Sequence, residues 1–265
     1  MLNILFWNLN KKAIEAYITD CIIENDIDIA VFSEFKGIDF SKIMRDLGSM
    51  YERVLSVQDE RKVTLLAKTT FSVEVKQQQN RYSIYSIRTA VKDYILAAIH
   101  LEDRRNYAPM ERIETIKSLV ADIEETEDAL KCTNTLVIGD FNAGPYDEEL
   151  LSQFAFNATL FKKVLEKKTA SKSKGKKMFY NPVLHYLSED TEMYGSFYYE
   201  RGHATPFWYC LDQVLTRESL AKCINHVEYL KKINTKELLK NTTPNKKISD
   251  HLPLLVNLQE VENGI

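Results

Sequence analysis

Apolar runs and amphipathic segments alternate over the first fifty residues of the chain. The apolar runs are short and nearly continuous, which is typical of strands buried on both faces. Between them, apolar side chains recur at helical spacing, as expected of helices that cover a sheet. The pattern predicts, in order, a strand at 2–7, a helix at 11–25, a strand at 27–32 and a short helix at 40–49.

The next fifty residues change to short β-rich runs separated by polar clusters that resemble turns. Such closely spaced runs predict a meander of antiparallel strands. The predicted strands are 51–57, 62–68, 70–76, 81–88 and 90–100.

Helical spacing returns after this meander, and strands dominate again near the end of the chain. No convincing linker divides the sequence and no internal repeat is present, so we expect a single domain over residues 1–265. Two β-sheets packed face to face, with helices outside each, satisfy this order of elements. The later elements are predicted as a helix at 107–128, a strand at 135–138, helical segments within 147–166, and strands near 195–200, 208–216, 224–230 and 252–258.

Composition narrows the classes of protein to consider. The 265 residues are 45% hydrophobic and 28% charged, with a net charge of −3, which excludes a polycation that holds nucleic acid by bulk charge. The four cysteines form no CxxC pair, so a zinc knuckle or a disulfide framework is not expected. The sequence shows no secretion signal and no apolar run long enough for a membrane span. We therefore expect a cytoplasmic protein that does not associate with membranes.

Polar side chains recur at the positions where apolar runs end. One such residue is usually a cap or turn former, but a series of residue types that bind metals or move protons is unexpected on that basis. Since strand ends gather at the edge of a sheet, these side chains can converge in space. The candidates are Asn8, Glu34, His100, Asp140, Asp212, Asp250 and His251, together with Asn142 in the string GDFNAGP.

The carboxylates in this set suit metal-assisted hydrolysis of a phosphodiester. Mg²⁺ prefers oxygen ligands and retains several waters, so Glu34 and Asp250 suffice as protein ligands. A metal bound to a phosphate oxygen withdraws charge as the transition state develops. Asp140 can accept the proton of the attacking water or orient that water.

The amides and the histidine suit the phosphate itself. Asn8 and Asn142 can donate N–H hydrogen bonds without adding negative charge. A charged His251 would neutralise the charge that develops on the phosphate. A carboxylate partner such as Asp212 would orient its imidazole and raise its pKa.

Six motifs in order resemble those of the endonuclease/exonuclease/phosphatase superfamily, and the resemblance extends from about residue 2 to residue 258. GDFN and SDHLP are specific in combination, whereas WN and HL are weak alone. The resemblance implies an α/β fold, a four-layer α/β/β/α sandwich of two packed mixed β-sheets, with the active site at one rim. The motifs are WNLN at 7–10, SE at 33–34, IHL at 99–101, GDFN at 139–142, LDQVL at 211–215 and SDHLP at 249–253.

The same resemblance implies a role for each candidate residue. It implies Mg²⁺ as the cofactor, with Mn²⁺ as a substitute. In this chain the roles fall on Glu34 as principal metal ligand with Asn8 nearby, Asp140 as water-activating aspartate, Asn142 as phosphate contact, Asp212 and His251 as an Asp–His dyad, Asp250 as a further metal-site carboxylate, and His100 as a contact to the phosphate or the leaving oxygen.

The resemblance leaves the substrate open among three classes of function. The leading hypothesis is a nuclease acting on DNA or RNA, and the alternative is a phosphatase or phosphodiesterase on a small phosphoester such as a phosphoinositide, a sphingomyelin or a nucleotide. The third is a binding module without activity. The lysine-rich segment Lys162–Lys177 can bind a nucleic-acid backbone or be merely solvated. The aromatic residues at 197–199 and 207–209 can stack on bases, although core packing is the simpler interpretation.

Overall fold

Helices and strands alternate along the chain. The computed structural model describes residues 1–55, 62–165, 177–187, 195–200 and 207–260. The helices within these ranges are α1 (Glu15–Glu24), α2 (Phe40–Leu47), α3 (Pro109–Leu130), α4 (Glu148–Leu151), α5 (Lys162–Leu165), α6 (Val183–Leu187) and α7 (Glu218–Ala221), with a 3₁₀ turn at Gly48–Met50.

Most strands of the described residues belong to two large sheets. The strands are β1 (Leu2–Asn8), β2 (Ile29–Ser33), β3 (Tyr51–Val54), β4 (Val63–Lys68), β5 (Ser72–Gln78), β6 (Tyr82–Arg88), β7 (Asp93–His100), β8 (Thr135–Asp140), β9 (Ala158–Thr159), β10 (Phe179–Tyr180), β11 (Phe197–Tyr198), β12 (Trp208–Tyr209), β13 (Asp212–Thr216), β14 (Ile224–Tyr229), β15 (Lys232–Ile233), β16 (Lys236–Glu237), β17 (Leu239–Lys240), β18 (Thr243–Pro244) and β19 (Leu254–Leu258).

Each large sheet mixes parallel and antiparallel pairs. The first sheet has the order β14-β19-β1-β2-β4-β3, and β1 and β2 are its parallel pair. The second has the order β5-β6-β7-β8-β13-β10-β9, in which β7 and β8 are parallel, as are β9 and β10. Three two-stranded hairpins complete the sheets of the described residues: β11 with β12, β15 with β16, and β17 with β18.

The side chains of β7 show how the layers are arranged, because successive residues of a strand point to opposite faces. Leu96 and Ala98 belong to the core that the second sheet shares with the first. Ile95 and Ile99 belong to a separate core that contains the buried face of α3. Helices α1 and α2 contribute to the core on the side of the first sheet. The four-layer α/β/β/α sandwich of two mixed sheets is therefore confirmed.

One local prediction is wrong. The strands of residues 51–100 do not form one meander: β3 and β4 lie in the first sheet, whereas β5, β6 and β7 lie in the second. The helical segments predicted within 147–166 are present as the short helices α4 and α5, but β9 between them was not predicted. Within the described residues, no helix is both long and apolar enough to cross a membrane.

Candidate active site

The ends of several strands meet at one rim of the sandwich. In the first sheet, Asn8 at the end of β1 is level with Ser33 at the end of β2, and Glu34 follows directly. In the second sheet, Asp140 at the end of β8 is level with both His100 and Asp212. Because β1 also approaches β8 across the core, these two sets of side chains face each other.

Asn8 connects the two sheets at this rim. Its Nδ2 donates to Asp140 Oδ2 over 3.0 Å and lies 3.5 Å from Glu34 Oε1. Its Oδ1 accepts a hydrogen bond of 3.0 Å from the backbone N–H of Asn10. The amide of Asn8 therefore holds two carboxylates in place by donating to them, while its oxygen is occupied by the backbone.

Asp212 and His251 form a buried pair beside Asp140. His251 Nδ1 lies 2.7 Å from Asp212 Oδ2, and the opposite nitrogen, Nε2, lies 4.0 Å from Asp140 Oδ2. Burial alone would lower the pKa of His251, but the attraction and hydrogen bond of Asp212, with the charges of Asp140 and Asp250, raise that pKa to about 10. His251 is thus an imidazolium at neutral pH.

Asp140 is buried and has an unusual acidity for a carboxyl group. Its Oδ1 accepts a hydrogen bond of 2.9 Å from the backbone N–H of Asn142. Burial, followed by repulsion from Asp212, raises the pKa of Asp140 to about 7, against the opposing effect of His251. A carboxyl group with a pKa near neutrality can both accept and release a proton at physiological pH.

The side chain of Glu34 is 26% exposed, whereas those of Asp140 and Asp212 are almost inaccessible to solvent. Its backbone has a φ of +48°, a left-handed conformation that is uncommon outside glycine and that turns the chain sharply after β2. Its contacts are long: 3.8 Å from His100 Nε2 to Oε1 and 3.7 Å from Lys11 Nζ to Oε2. Oxygen atoms with spare acceptor capacity fit a hard cation such as Mg²⁺ or Mn²⁺.

His100 is half-buried at the same rim and differs from His251 in charge. Its Nε2 lies 3.8 Å from Asp140 Oδ2 and 3.8 Å from Glu34 Oε1. Burial lowers the pKa of His100 to about 4 and outweighs the attraction of Glu34, with Arg81 acting in the same direction as burial. Its Nδ1 is buried without a hydrogen-bond partner among the described residues. His100 is therefore neutral at physiological pH.

Asn142 and Asp250 lie at the margins of this arrangement. Asn142 has a φ of +49°, and its Nδ2 donates to the carbonyl of Leu101 over 2.9 Å, which leaves one amide hydrogen free to donate elsewhere. Asp250 is half-buried and adjacent to His251. None of the hydrogen bonds and ion pairs within the described part of the chain joins its carboxylate to another candidate side chain.

Asp140, Asp212 and His251 form a carboxylate–imidazole cluster with the spacing of a metal site. Single ligand atoms of these three residues lie within 4.8 Å of one another. The contact of 2.7 Å between His251 Nδ1 and Asp212 Oδ2 leaves no space for a cation between these two atoms. Glu34, whose carboxylate makes only long contacts, is a second group that could hold a cation.

Several residues that support the site were not predicted from the sequence. Ser249 Oγ donates to the backbone carbonyl of Asn8 over 2.7 Å and accepts from the backbone N–H of His251 over 3.1 Å. Trp7 Nε1 donates to the carbonyl of His251 over 3.1 Å, and Ser196 Oγ accepts from the backbone N–H of Asp212 over 3.1 Å. The position of Ser249 within SDH was the one available signal for these contacts.

The lysine-rich segment Lys162–Lys177 lies largely outside the described residues, which omit 166–176. At its two described ends the lysines contact the protein. Lys162 Nζ lies 5.4 Å from the ring centre of Tyr180, and Lys177 Nζ lies 2.9 Å from Glu127 Oε2 and 3.3 Å from Asp128 Oδ1. Lys177 is therefore neutralised by carboxylates of α3.

No protein-family model and no curated protein matches the sequence. Solved structures do match over nearly the whole chain. The endonuclease domain of TRAS1, a telomere-specific non-LTR retrotransposon, is 14% identical, covers 97% of this chain and 98% of its own, and has a TM-score of 0.57. Danio rerio (D. rerio) TDP2 complexed with a single-strand DNA product is 15% identical, with coverages of 96% and 97% and a TM-score of 0.59.

An AP endonuclease from Archaeoglobus fulgidus is also similar. It is 17% identical, covers 97% of this chain and 99% of its own, and has a TM-score of 0.58. At these identities the similarity concerns the fold. The resemblance inferred from GDFN and SDHLP is thus confirmed at the level of architecture: the chain has the endonuclease/exonuclease/phosphatase-like fold.

Proposed function

We propose that the protein is a divalent-metal-dependent phosphodiesterase that hydrolyses phosphodiester bonds of DNA or RNA. One observation carries the proposal: Asp140, which accepts a hydrogen bond from Asn8 where the two sheets meet, lies 4.0 Å from the Nε2 of His251, and their surroundings raise the pKa of both groups. A proton acceptor and a fixed positive charge are the two groups that attack of water on a phosphodiester requires.

In this proposal Asp140 accepts the proton of the attacking water. Asn8 donates to Asp140 and Asn142 donates its backbone N–H to the same carboxylate, so both of its oxygens are oriented. His251, held by Asp212 through its Nδ1, directs Nε2–H toward the negative charge that develops on the phosphate. The neutral His100 and the second amide hydrogen of Asn142 can donate to phosphate oxygens without adding charge.

Glu34 is the proposed principal ligand of Mg²⁺ or Mn²⁺, with Asp250 as a further carboxylate at the metal site and Asn8 beside them. When bound, such an ion supplies Lewis acidity that draws charge from the phosphate. The long contacts of the Glu34 carboxylate support this assignment, because its oxygens retain capacity for a cation. Asp250 contributes to the high pKa of His251, which places its charge near the phosphate site.

A nucleic-acid substrate is supported by the names of the similar structures. They include an endonuclease domain, an AP endonuclease and a complex with a single-strand DNA product. The lysine-rich segment Lys162–Lys177 remains a candidate contact to the backbone, although its described end at Lys177 is already paired.

The test is a panel of labelled single- and double-stranded DNA and RNA incubated with the purified protein and Mg²⁺ or Mn²⁺. We expect cleavage of at least one nucleic acid, its loss in EDTA, and a decrease of at least about 100-fold in Asp140→Asn, since a general base contributes that much. Asp93→Asn is the matched control, because Asp93 is exposed at the opposite end of β7.

Two results would redirect the proposal. Release of orthophosphate from an inositol phosphate without any cleavage of nucleic acid would assign the site to small phosphoesters. The absence of both activities, with no divalent ion bound in isothermal titration, would leave a binding module.

A further inference from the structure

Six aromatic residues lie together on the β11–β12 hairpin, which we term the aromatic hairpin: 197–199 and 207–209. Phe197 pairs with Tyr209, and Tyr198 pairs with Trp208. None of the six is fully buried, and Tyr199 and Phe207 are each 40% exposed. Trp208 packs against the core, as the simpler interpretation expects, whereas Tyr199 and Phe207 do not. The hairpin presents a partly exposed aromatic surface.

This surface adjoins the candidate catalytic residues. Phe197 forms a β-bridge with His251, and the two rings lie 4.9 Å apart at 41°. Ser196, directly before β11, accepts the hydrogen bond from the backbone of Asp212. A ligand on the aromatic hairpin would thus continue directly into the space beside the Asp212–His251 pair.

The conformation of Phe207 supports a role for its exposed ring. Its φ of +73° is unusual for a bulky residue, and such strain persists where the surrounding structure enforces it. Its ring centre lies 6.4 Å from that of Tyr198, at an interplanar angle of 34°. Its backbone carbonyl accepts a hydrogen bond of 2.8 Å from the N–H of Tyr199. The hairpin thus fixes Phe207 beside the other rings while leaving it open to solvent.

Exposed lysines lie beside the aromatic hairpin. The β17–β18 hairpin contacts β11, and it carries Lys240. Lys246 and Lys247 follow, directly before Ser249 and His251, and all three lysines are exposed. Elsewhere in the segment 231–247, Lys236 is already paired with Asp20 of α1. Lys240, Lys246 and Lys247 are therefore the lysines that supply positive charge beside the aromatic rings.

We propose that the aromatic hairpin and Lys240, Lys246 and Lys247 bind single-stranded nucleic acid and lead it to the catalytic rim. Bases stack on the exposed rings and the lysines pair with phosphates, as on other surfaces for single strands. A duplex cannot use the rings in this way, because its base faces are already stacked on one another. This inference rests on the proposed function, which supplies the nucleic-acid substrate.

The two tryptophans of the chain allow a direct test of stacking. Trp7 is fully buried, whereas Trp208 lies partly exposed on the aromatic hairpin. Titration of the full-length protein with 15-nucleotide oligo-dT or oligo-U, in EDTA to prevent cleavage, is expected to quench tryptophan fluorescence. In Trp208→Phe the quenching should disappear. The two probes separate a DNA ligand from an RNA ligand.

Variants separate the contribution of the rings from that of the charges. Tyr199→Ala with Phe207→Ala is expected to raise the Kd for the single strand at least about 10-fold and leave the Kd for a duplex unchanged. Tyr199→Trp with Phe207→Tyr should retain affinity. Lys240→Gln, Lys246→Gln and Lys247→Gln together should reduce the slope of log Kd against log salt by about 2.

Matched controls lie on α3 and near its exposed face. Phe154→Ala removes an aromatic residue of similar exposure, and Lys117→Gln with Lys131→Gln removes two exposed charges. All of these controls should bind like the wild type. The ring variants should also hydrolyse the small diester bis(4-nitrophenyl) phosphate at the wild-type rate, because neither ring belongs to the catalytic set.

The outcomes distinguish this inference from the proposed function. Unchanged single-strand affinity in the ring variants, or quenching that persists in Trp208→Phe, overturns the binding surface while metal-dependent cleavage still stands. Single-strand binding that depends on the rings, without metal-dependent hydrolysis of any phosphodiester, overturns the proposed function while the binding surface stands.

Discussion

At the scale of single residues, two histidines at one rim differ in charge, one positive and one neutral, because their neighbours differ. His251 has a carboxylate 2.7 Å from its Nδ1, and this partner more than compensates for the cost of burying the charge. His100 has no carboxylate within hydrogen-bond distance among the described residues, so burial dominates and the neutral ring is favoured. One imidazole therefore supplies charge and the other supplies only a hydrogen bond.

This difference predicts two separate titrations in the metal-free protein. His251 should lose its proton near pH 10 and His100 should gain one only near pH 4. The raised pKa of His251 stabilises the folded protein fully at pH values below about 6.5, the pKa of histidine in the unfolded chain. This stabilisation is lost as the pH rises toward the pKa of His251 in the folded protein. The lowered pKa of His100 has the opposite effect. Its contribution to the stability of the folded protein is present at pH values above about 6.5 and is lost as the pH falls toward the pKa of His100 in the folded protein.

Nitrogen-15 spectra of the imidazoles, recorded in EDTA across this pH range, measure both values. Asp212→Asn is the informative variant, because it removes the attraction on His251 and should lower that pKa while leaving His100 nearly unchanged. Titration of both rings near the ordinary histidine pKa of about 6.5 in the wild type would contradict the burial and the pairing described for them.

At the scale of elements, local patterns predicted the strands better than their pairing. Residues 135–140 are all buried, and a short apolar run is sufficient to identify such a strand. The chain passes from the first sheet to the second between β4 and β5. This depends on which strands pair in space, and a local sequence pattern contains no information about that pairing. The short strand β9 was missed for a similar reason, because it is fixed by pairing with β10.

The candidate site was predictable to the extent that it lies at strand ends. Asn8, Glu34, Asp140 and His251 follow or precede apolar runs, so their convergence followed from the geometry of sheets, and their roles stay predictions. Contacts such as that from Ser249 to the carbonyl of Asn8 join residues 241 positions apart. Spacing along the chain contains no information about such pairs.

The structure explains why the first position of GDFN is a glycine, without reference to catalysis. Gly139 precedes Asp140 in β8, with a φ of +155°, and a Cβ at this position would lie 2.0 Å from the carbonyl oxygen of Ile99. We expect Gly139→Ala to lower the free energy of unfolding by about 3 kcal/mol, since backbone must move to admit the methyl group. Urea unfolding measures the change.

Gly48→Ala is the control for backbone strain without steric overlap. Gly48 also has a positive φ, of +67°, but a Cβ added there would meet no heavy atom within 4 Å apart from its own chain neighbours. Its substitution should cost about 1–2 kcal/mol, because a φ of +67° with a ψ of −157° is strained for a residue with a side chain. Equal losses of stability in the two variants would show that the close approach of β7 to Gly139 is not the cause.

At the scale of the whole molecule, the first and the last strands of the described chain pair with each other. Leu2 in β1 pairs with Leu258 in β19, so the two ends of the described chain lie in the same sheet. The Asp212–His251 pair joins the second sheet to the segment that leads into β19. The candidate site therefore requires both sheets, and its geometry depends on their packing rather than on any one motif.

A buried ion pair far from the rim should separate stability from activity. Glu127 of α3 accepts from Arg217 Nε and from Thr135 Oγ1, each over 2.8 Å, and both members of the ion pair are almost inaccessible to solvent. Removing Glu127 leaves the buried guanidinium of Arg217, among the described residues, with only the longer ion pair to the exposed Glu124, so Glu127→Ala should lower the free energy of unfolding by about 3 kcal/mol. Thr135 begins β8 and Asp140 ends it, roughly 17 Å away.

Activity should therefore survive this substitution while the protein remains folded. We expect kcat/KM of Glu127→Ala for a cleavable oligonucleotide to equal the wild-type value well below its melting temperature. Glu124→Ala is the matched control, because Glu124 is 38% exposed and lies 3.5 Å from the same guanidinium, so its loss should cost under about 1 kcal/mol. Equal destabilisation of the two variants would contradict the role given to the buried pair. A loss of kcat/KM in folded Glu127→Ala would mean that α3 acts on the rim through the second sheet.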